Sequence, residues 1–245
     1  ELVENVPFKA SFNFGKLPTN FDRIALYDRS GWNHNNHYHN FLLKQLLLHC
    51  ESILDIGCGT GEFSRLLAKR CDRLVAIDLS PQMIAIAKQH SQAYKNIDFQ
   101  VADILQWEFP VEQFDVIISI ATFHHLSLEN LLPSLQTALK PGGKLIILDL
   151  VKHETIQDKL SDVVAVPLNW IWQILKNRNI KQSPEAQAAW REHFRTDEFL
   201  SLSQARHIYT KSCPDAKVRK HLFWRYSAVW EKPTATVSMI EENHD

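Results

Sequence analysis

The chain has 245 residues, 45% hydrophobic and 22% charged, with a formal net charge of −1 at pH 7. This is the composition of a globular protein, and the even charge balance excludes the basic footprint of a nucleic-acid binder. Four cysteines, Cys50, Cys58, Cys71 and Cys213, form no CxxC pair and no zinc-ligand spacing, so they read as reduced thiols.

The first residues lack the basic-then-apolar pattern of a signal peptide. The most apolar long stretch, residues 163–175, is about half to two thirds of a membrane span and contains Pro167 and Asn169. The expectation is a cytoplasmic protein with no integral membrane association.

Residues 1–20 carry Pro7, Gly15 and Pro18 without a period and read as an extended arm. A weak helical pattern follows over residues 21–28. Residues 32–39 are dense in polar rings and amides and lead into a helix expected over residues 37–49, with Phe41, Leu42, Gln45, Leu46 and His49 on one face. From Ser52 strands and helices alternate: strand 53–56, helix 62–70, strand 73–78, a helix from Pro81, strand 97–102, strand 115–120, helix 128–139, strand 144–150. Ser80 suits the N-cap and Pro81 the first helical position.

That alternation predicts an α/β fold: a doubly wound, mostly parallel sheet with helices on both faces. Residues 152–212 read as helices (156–166, 169–176, 184–195 and 197–211), which is longer than one crossover and predicts a helical cap insertion. Residues 217–221 and 222–231 read as a terminal hairpin. A single domain is expected over residues 1–233, with a lid at 21–49 and a disordered tail at 234–245.

The stretch from Ser52 to Phe63 carries the strongest signal. Ile53, Leu54 and Ile56 form a short buried strand, and Gly57, Gly59 and Gly61 then alternate, which lets the backbone reach φ > 0 and approach a ligand. Phe63, Leu66 and Leu67 start a helix, whose first N–H groups point into the turn. A dinucleotide fingerprint wants a third glycine where this chain has Glu62. An acidic group there repels a pyrophosphate, so the turn suits a cofactor without phosphates, and an NAD-dependent oxidoreductase is disfavoured.

Asp78 ends the second strand about twenty positions after the turn, the spacing of a carboxylate that accepts from ribose hydroxyls. Asp103 follows the third strand and is a candidate acceptor for an exocyclic amine such as adenine's, with Ile104 packing on the ring; an ordinary loop role stands beside that reading.

Together these positions resemble the class I S-adenosylmethionine-dependent methyltransferases. The matching pieces are Leu54-Asp55-Ile56-Gly57-Cys58-Gly59-Thr60-Gly61, Ala76-Ile77-Asp78-Leu79-Ser80, Ala102-Asp103, Phe114-Asp115-Val116-Ile117 and Leu139-Lys140-Pro141-Gly142-Gly143-Lys144-Leu145. The resemblance implies a seven-stranded sheet with an antiparallel last strand and S-adenosyl-L-methionine as cofactor. It implies a cofactor set of Asp55, Gly57, Gly59, Gly61, Asp78, Leu79, Asp103, Ile104 and Ile120. Phe21-Asp22-Arg23-Ile24-Ala25 with Tyr27-Asp28 resembles the lid of the small-molecule branch that includes quinone-biosynthesis C-methyltransferases. Residues Trp32 to His39 and Leu222 to Trp230 look like an uncharacterised bacterial subgroup of it.

On the acceptor side, the loop after the fourth strand reads Thr122-Phe123-His124-His125-Leu126. It lacks the Asn/Asp-Pro-Pro-aromatic motif of amino-methylating enzymes that act on bases. His124 and His125 are candidates for a general base, or for packing and backbone contacts. Tyr27, His34, His37 and Arg225 are candidates for the acceptor's wall. His34, His37 and His39 invite a metal reading, but spacing alone does not make them converge, and no metal is expected. Trp170 and Trp172 read as helix packing, as an apolar pocket wall or as a weak membrane-surface face. The expected function is methyl transfer to a small-molecule acceptor; the alternative is a non-catalytic cofactor-binding subunit of the same fold.

Overall fold

The computed structural model describes residues 33–152, 167 and 199–234. Among them, a 3-10 turn at Asn36–Tyr38 runs into α1 (His39–Leu43), and β1 (Cys50–Ile56) follows. Then come α2 (Glu62–Leu67), β2 (Cys71–Asp78), α3 (Pro81–His90), β3 (Ile97–Val101) and β4 (Phe114–Ile120). A short 3-10 turn at Phe123–His125 leads to α4 (Leu128–Ala138) and β5 (Leu139–Leu150). Later in the chain come α5 (Leu202–Ser212), β6 (Lys217–His221) and β7 (Arg225–Glu231).

The seven strands form one sheet in the order β3-β2-β1-β4-β5-β7-β6. Strands β1 to β5 pair in parallel, and β7 lies antiparallel between β5 and β6. The expected seven-stranded, doubly wound sheet with an antiparallel last strand is the one observed. Strand order reverses between β1 and β4, which places a crevice at their carboxyl ends.

The central strands are apolar on both faces, as parallel strands covered by helices must be. On one face Leu54, Ile56, Ile117, Leu145 and Ile147 pack under Leu131, Leu132 and Leu135 of α4 and Tyr209 of α5. On the other, Ile53, Val116, Ile118, Ile146 and Leu148 pack against Leu42, Phe63 and Leu67. A smaller cluster of Ala76, Ile84, Ala87 and Phe99 seats α3. Ser80 caps α3 by accepting from Met83 N at 3.1 Å, as its sequence position predicts.

Several elements differ from expectation: β5 begins at Leu139 rather than 144, α2 ends at Leu67 rather than 70 and β7 begins at Arg225 rather than 222, and two helices differ for a visible reason. The helix expected over 37–49 stops at Leu43. The N–H of Cys50 is already engaged by Arg70 O at 2.9 Å at the start of the β1–β2 ladder, so the chain must straighten first. Five helical residues are too few to hold a helix alone; α1 is kept by fully buried Leu42 and by the Tyr38 hydroxyl donating to Leu222 O at 2.7 Å. The last cap helix, expected from residue 197, begins at Leu202. Its start is fixed by a capping box, with Ser201 Oγ accepting from Gln204 N at 3.1 Å and Gln204 Oε1 accepting from Ser201 N at 2.9 Å. The other expected cap helices, the 21–32 part of the lid and the tail beyond Thr234 lie outside the described residues. Among the described residues no helix is long and apolar enough to cross a membrane.

Candidate functional site

The glycine turn sits at the carboxyl end of β1, at the point where strand order reverses. Gly57, Gly59 and Gly61 all hold left-handed φ values, of 71, 53 and 74°, which only glycine adopts without cost. Gly57 and Gly61 need glycine for a further reason. A side chain on Gly57 would overlap that of Thr122, and one on Gly61 would press on the Phe99 ring. Gly59 faces open space, with nothing within 4 Å of where its side chain would begin. The middle of the turn is therefore an open cradle.

Asp78 ends β2 beside this cradle. Its carboxylate accepts from Gly59 N and from Ser80 N, each at 2.9 Å. The same residue thus shapes the turn and orients its own oxygens. A carboxylate has about four lone-pair sites, so these two bonds do not by themselves saturate it. Leu79, next in the chain, is half-buried.

Asp55 lies below the turn rather than in the cradle. It is 3% exposed and accepts a hydrogen bond of 2.6 Å from Ser64 Oγ on α2. Burial raises its carboxyl from 3.8 to about 7, with the Ser64 bond opposing that and the nearby Asp78 charge adding to it. Its visible work is to tie the start of α2 under the turn. Asp103 follows β3 and accepts from Leu105 N and from Gln106 Nε2, both at 3.0 Å. Beside it Ile104 is buried, in the same cluster as Phe123 and Leu128. Ile120, at the end of β4, is half-buried.

Past Ile120 the chain turns sharply: Ala121 holds φ 53°, and Thr122 leans onto Gly57. His124 then meets a partner that the sequence reading did not include. Its Nδ1 lies 2.7 Å from Oδ1 of Asp149, near the carboxyl end of β5. Asp149 Oδ1 also accepts from Leu150 N at 2.8 Å, which fixes the carboxylate. A carboxylate accepts, so Nδ1 carries the proton and base character passes to Nε2. His125 is buried with its ring centroid 3.9 Å from that of His124. An acidic residue at the end of a parallel strand was the signal for Asp149, of the same kind that singled out Asp78 and Asp103.

The N-terminal segment docks across the end of the last hairpin. His34 stacks on Phe223 at 5.4 Å and meets Trp224 edge-on at 5.5 Å. His37 lies edge-on to Phe223 at 5.1 Å and to Tyr38 at 4.8 Å; its partial burial lowers the imidazole below its usual value. His39 points elsewhere, packing on Phe63 at 4.6 Å, and burial brings it down to about 4. Among the described residues no three His, Cys, Asp or Glu side chains group so as to hold a metal. Arg225 begins β7 and bonds Asn35, while Asn36 Nδ2 reaches Glu62 Oε1 at 3.4 Å. Neighbouring lid residues thus touch both the hairpin and the helix after the glycine turn. Tyr27 lies outside the described residues, as do Trp170 and Trp172.

Residues 53–143 match the family model described as a methyltransferase domain. The chain is 39% identical over 102 residues to phosphoethanolamine N-methyltransferase 3 of Arabidopsis thaliana, a match of 40% of this chain and 21% of that one. The chain therefore spans about a fifth of the plant enzyme's length. It is 26% identical over 206 residues to an uncharacterized methyltransferase of Mycobacterium tuberculosis, covering 82% of this chain and 98% of that one. The N-methyltransferase NodS of Bradyrhizobium japonicum, solved with S-adenosyl-L-homocysteine, superposes with a TM-score of 0.58 at 20% identity, over 88% of this chain and 98% of NodS; that likeness is one of fold. Residues 53–143, the strand–turn–helix core of this sheet, are thus similar to a methyltransferase domain, which supports the resemblance to the class I S-adenosylmethionine-dependent methyltransferases.

Proposed function

We propose that this chain moves the methyl group of S-adenosyl-L-methionine to a small-molecule acceptor, with His124 receiving the acceptor's proton. The observation that carries this reading is the open cradle at Gly59, bonded to the Asp78 carboxylate at the switch point of the sheet. Those residues fit the cofactor: the turn leaves room for its amino-acid end, Asp78 is an acceptor for ribose hydroxyls, and Asp103 is an acceptor for the adenine amine. Leu79, Ile104 and Ile120 supply apolar contact, and Gly57, Gly61 and Asp55 hold the turn in shape. Bound there, S-adenosylmethionine supplies a methyl group on a sulfonium, already activated for in-line displacement.

The protein's own task is then alignment and exclusion of water. His124 is favoured over His125 as the base because Asp149 holds its tautomer, with both side chains under 5% exposed. His34, His37 and Arg225 are assigned to the acceptor side. A small acceptor agrees with the name of the plant relative, a phosphoethanolamine N-methyltransferase.

Calorimetric titration with S-adenosylhomocysteine tests the donor half. Binding in the micromolar range is expected, and no binding at about 100 μM would sink the proposal. Asp78→Ala is expected to weaken that binding about 10- to 100-fold, through loss of charge-assisted bonds worth about 1.5–3 kcal/mol. An unchanged affinity would remove Asp78 from the ribose role. A screen of candidate acceptors with labelled cofactor then identifies the atom methylated.

A further inference from the structure

Arg225 pairs with Leu150 at the carboxyl end of β5, beside the site, and is 7% exposed. Its Nε and Nη2 both donate to one atom, Oδ1 of Asn35, at 3.1 and 2.8 Å. Its Nη1 reaches the carbonyls of Phe223 and Trp224 at 3.4 and 3.3 Å. Every one of these acceptors is neutral. Among the described residues no carboxylate forms an ion pair with this guanidinium; Asp149 influences it only through space, with its Oδ1 engaged by His124 and Leu150 N and its Oδ2 buried without a hydrogen-bond partner.

A buried cation is costly unless an anion answers it, and burial brings this one down to about 10. The Nε–Nη2 edge is the side of the guanidinium that carboxylates and phosphates engage with two parallel bonds. Here both bonds converge on a single amide oxygen, so Asn35 fills the place of one oxygen of an oxyanion. The surroundings are built rather than incidental. Phe223 and Trp224 hold φ values of 54 and 56°, a region that bulky residues rarely adopt. That strained turn points their carbonyls at Nη1 and their rings at His34.

We propose that Arg225 is the receptor for an oxyanion on the acceptor. A carboxylate or phosphate of the substrate displaces the Asn35 amide and pairs side-on with Nε and Nη2, while the substrate's body lies along the rings of His34, Phe223 and Trp224. The word acceptor rests on the methyl-transfer reading; the anion site itself does not.

The probes are benzoate, phenyl phosphate and the neutral benzamide, which share one ring. Each is titrated calorimetrically to about 10 mM into the full chain saturated with S-adenosylhomocysteine. At least one anion is expected to bind and benzamide is not; which anion binds separates a carboxylate from a phosphate substrate. Asn35→Ala removes the plug and is expected to tighten anion binding about five-fold, whereas Arg225→Lys loses the fork and should weaken it about ten-fold or more. S-adenosylhomocysteine affinity should stay at the wild-type value in both variants, which also checks that they fold. The proposal is overturned if benzamide binds as well as the anions, if neither anion binds, or if Asn35→Ala fails to tighten the anion. Should Arg225→Lys not fold, Asn35→Ala decides alone. Should S-adenosylhomocysteine not bind, the titrations are run without it; anion binding with these variant effects then leaves the receptor standing and the methyl-transfer reading fallen.

Discussion

Nδ1 of His124 and Oδ1 of Asp149 lie 2.7 Å apart behind the ends of β4 and β5, and the two side chains are 4% and 1% exposed. Neither residue is near the other in sequence; adjacent parallel strands deliver them to one edge. The carboxylate gives the imidazole one tautomer and one orientation. Asp149→Asn should therefore lower kcat about 10- to 100-fold, the order expected when a general base loses its alignment. The cofactor's KM and the S-adenosylhomocysteine affinity should stay within about two-fold, a split that a merely structural role would not produce. A fall in cofactor affinity matching the fall in kcat would assign Asp149 to packing.

Gly57 and Thr122 are the second contact that crosses the switch point. Gly57→Ala carries two penalties, a left-handed φ and an overlap with the Thr122 side chain. Together they should cost about 2–4 kcal/mol in stability, combining backbone strain with overpacking. Adding Thr122→Ala removes the two nearest atoms that a side chain on Gly57 would meet, but leaves Thr122 Cβ at 2.8 Å and the backbone strain, so the double variant should recover only part of the loss. A denaturant-melt cycle measures it, and strictly additive losses would show that the two sites do not touch.

Asp55 gives a pH dependence whose sign can be worked out. Its folded carboxyl titrates near 7 against 3.8 unfolded, so between those values the folded chain binds more protons than the unfolded one. This contribution to stability is fully present below about pH 4 and is lost as pH rises through 7. Asp55→Asn keeps an oxygen for the Ser64 hydroxyl and cannot ionise. The variant should lose that slope and gain stability relative to wild type as pH rises, by at most about 4 kcal/mol near pH 8. Chemical denaturation at pH 5 and pH 8 reads the difference; equal gaps at the two pH values would contradict the assignment.

Ser201 closes the capping box at the start of α5. Ser201→Ala should cost about 1 kcal/mol, which for a chain of this size lowers the melting temperature by about 2–4 °C. The change is expected to leave S-adenosylhomocysteine affinity untouched, because the cap lies outside the cradle. A melting temperature equal to wild type would mean that the first turn of α5 is held by other contacts.

What could be read from the chain followed the range of the forces involved. The buried strands, the glycine turn and the Ser80 cap are local patterns, in which a few neighbouring residues declare their own geometry. The length of α1 was misjudged because Phe41, Leu42, Gln45, Leu46 and His49 fall on one helix face, while the β1–β2 ladder settles that the chain extends. Thr122 against Gly57, Asp149 behind His124 and Asn35 on Arg225 join segments far apart in sequence, and no window on the chain contains both partners. The left-handed pair Phe223 and Trp224 was illegible for a different reason. Its residue types argue against that turn, and only the packing of Phe223 into the core, 1% exposed, compensates for the strain.

The direction of β7 has a consequence for the order in which the site comes into being. Because β7 runs against its neighbours, its first residue, Arg225, emerges at the edge where the parallel strands finish. During synthesis, the cradle from Gly57 to Asp78 and the His124–Asp149 pair can form once the ribosome has released β5. The wall that seats the lid cannot, since Phe223, Trp224 and Arg225 arrive more than seventy positions later. A nascent chain therefore acquires its glycine turn well before the hairpin end on which residues 33–38 dock.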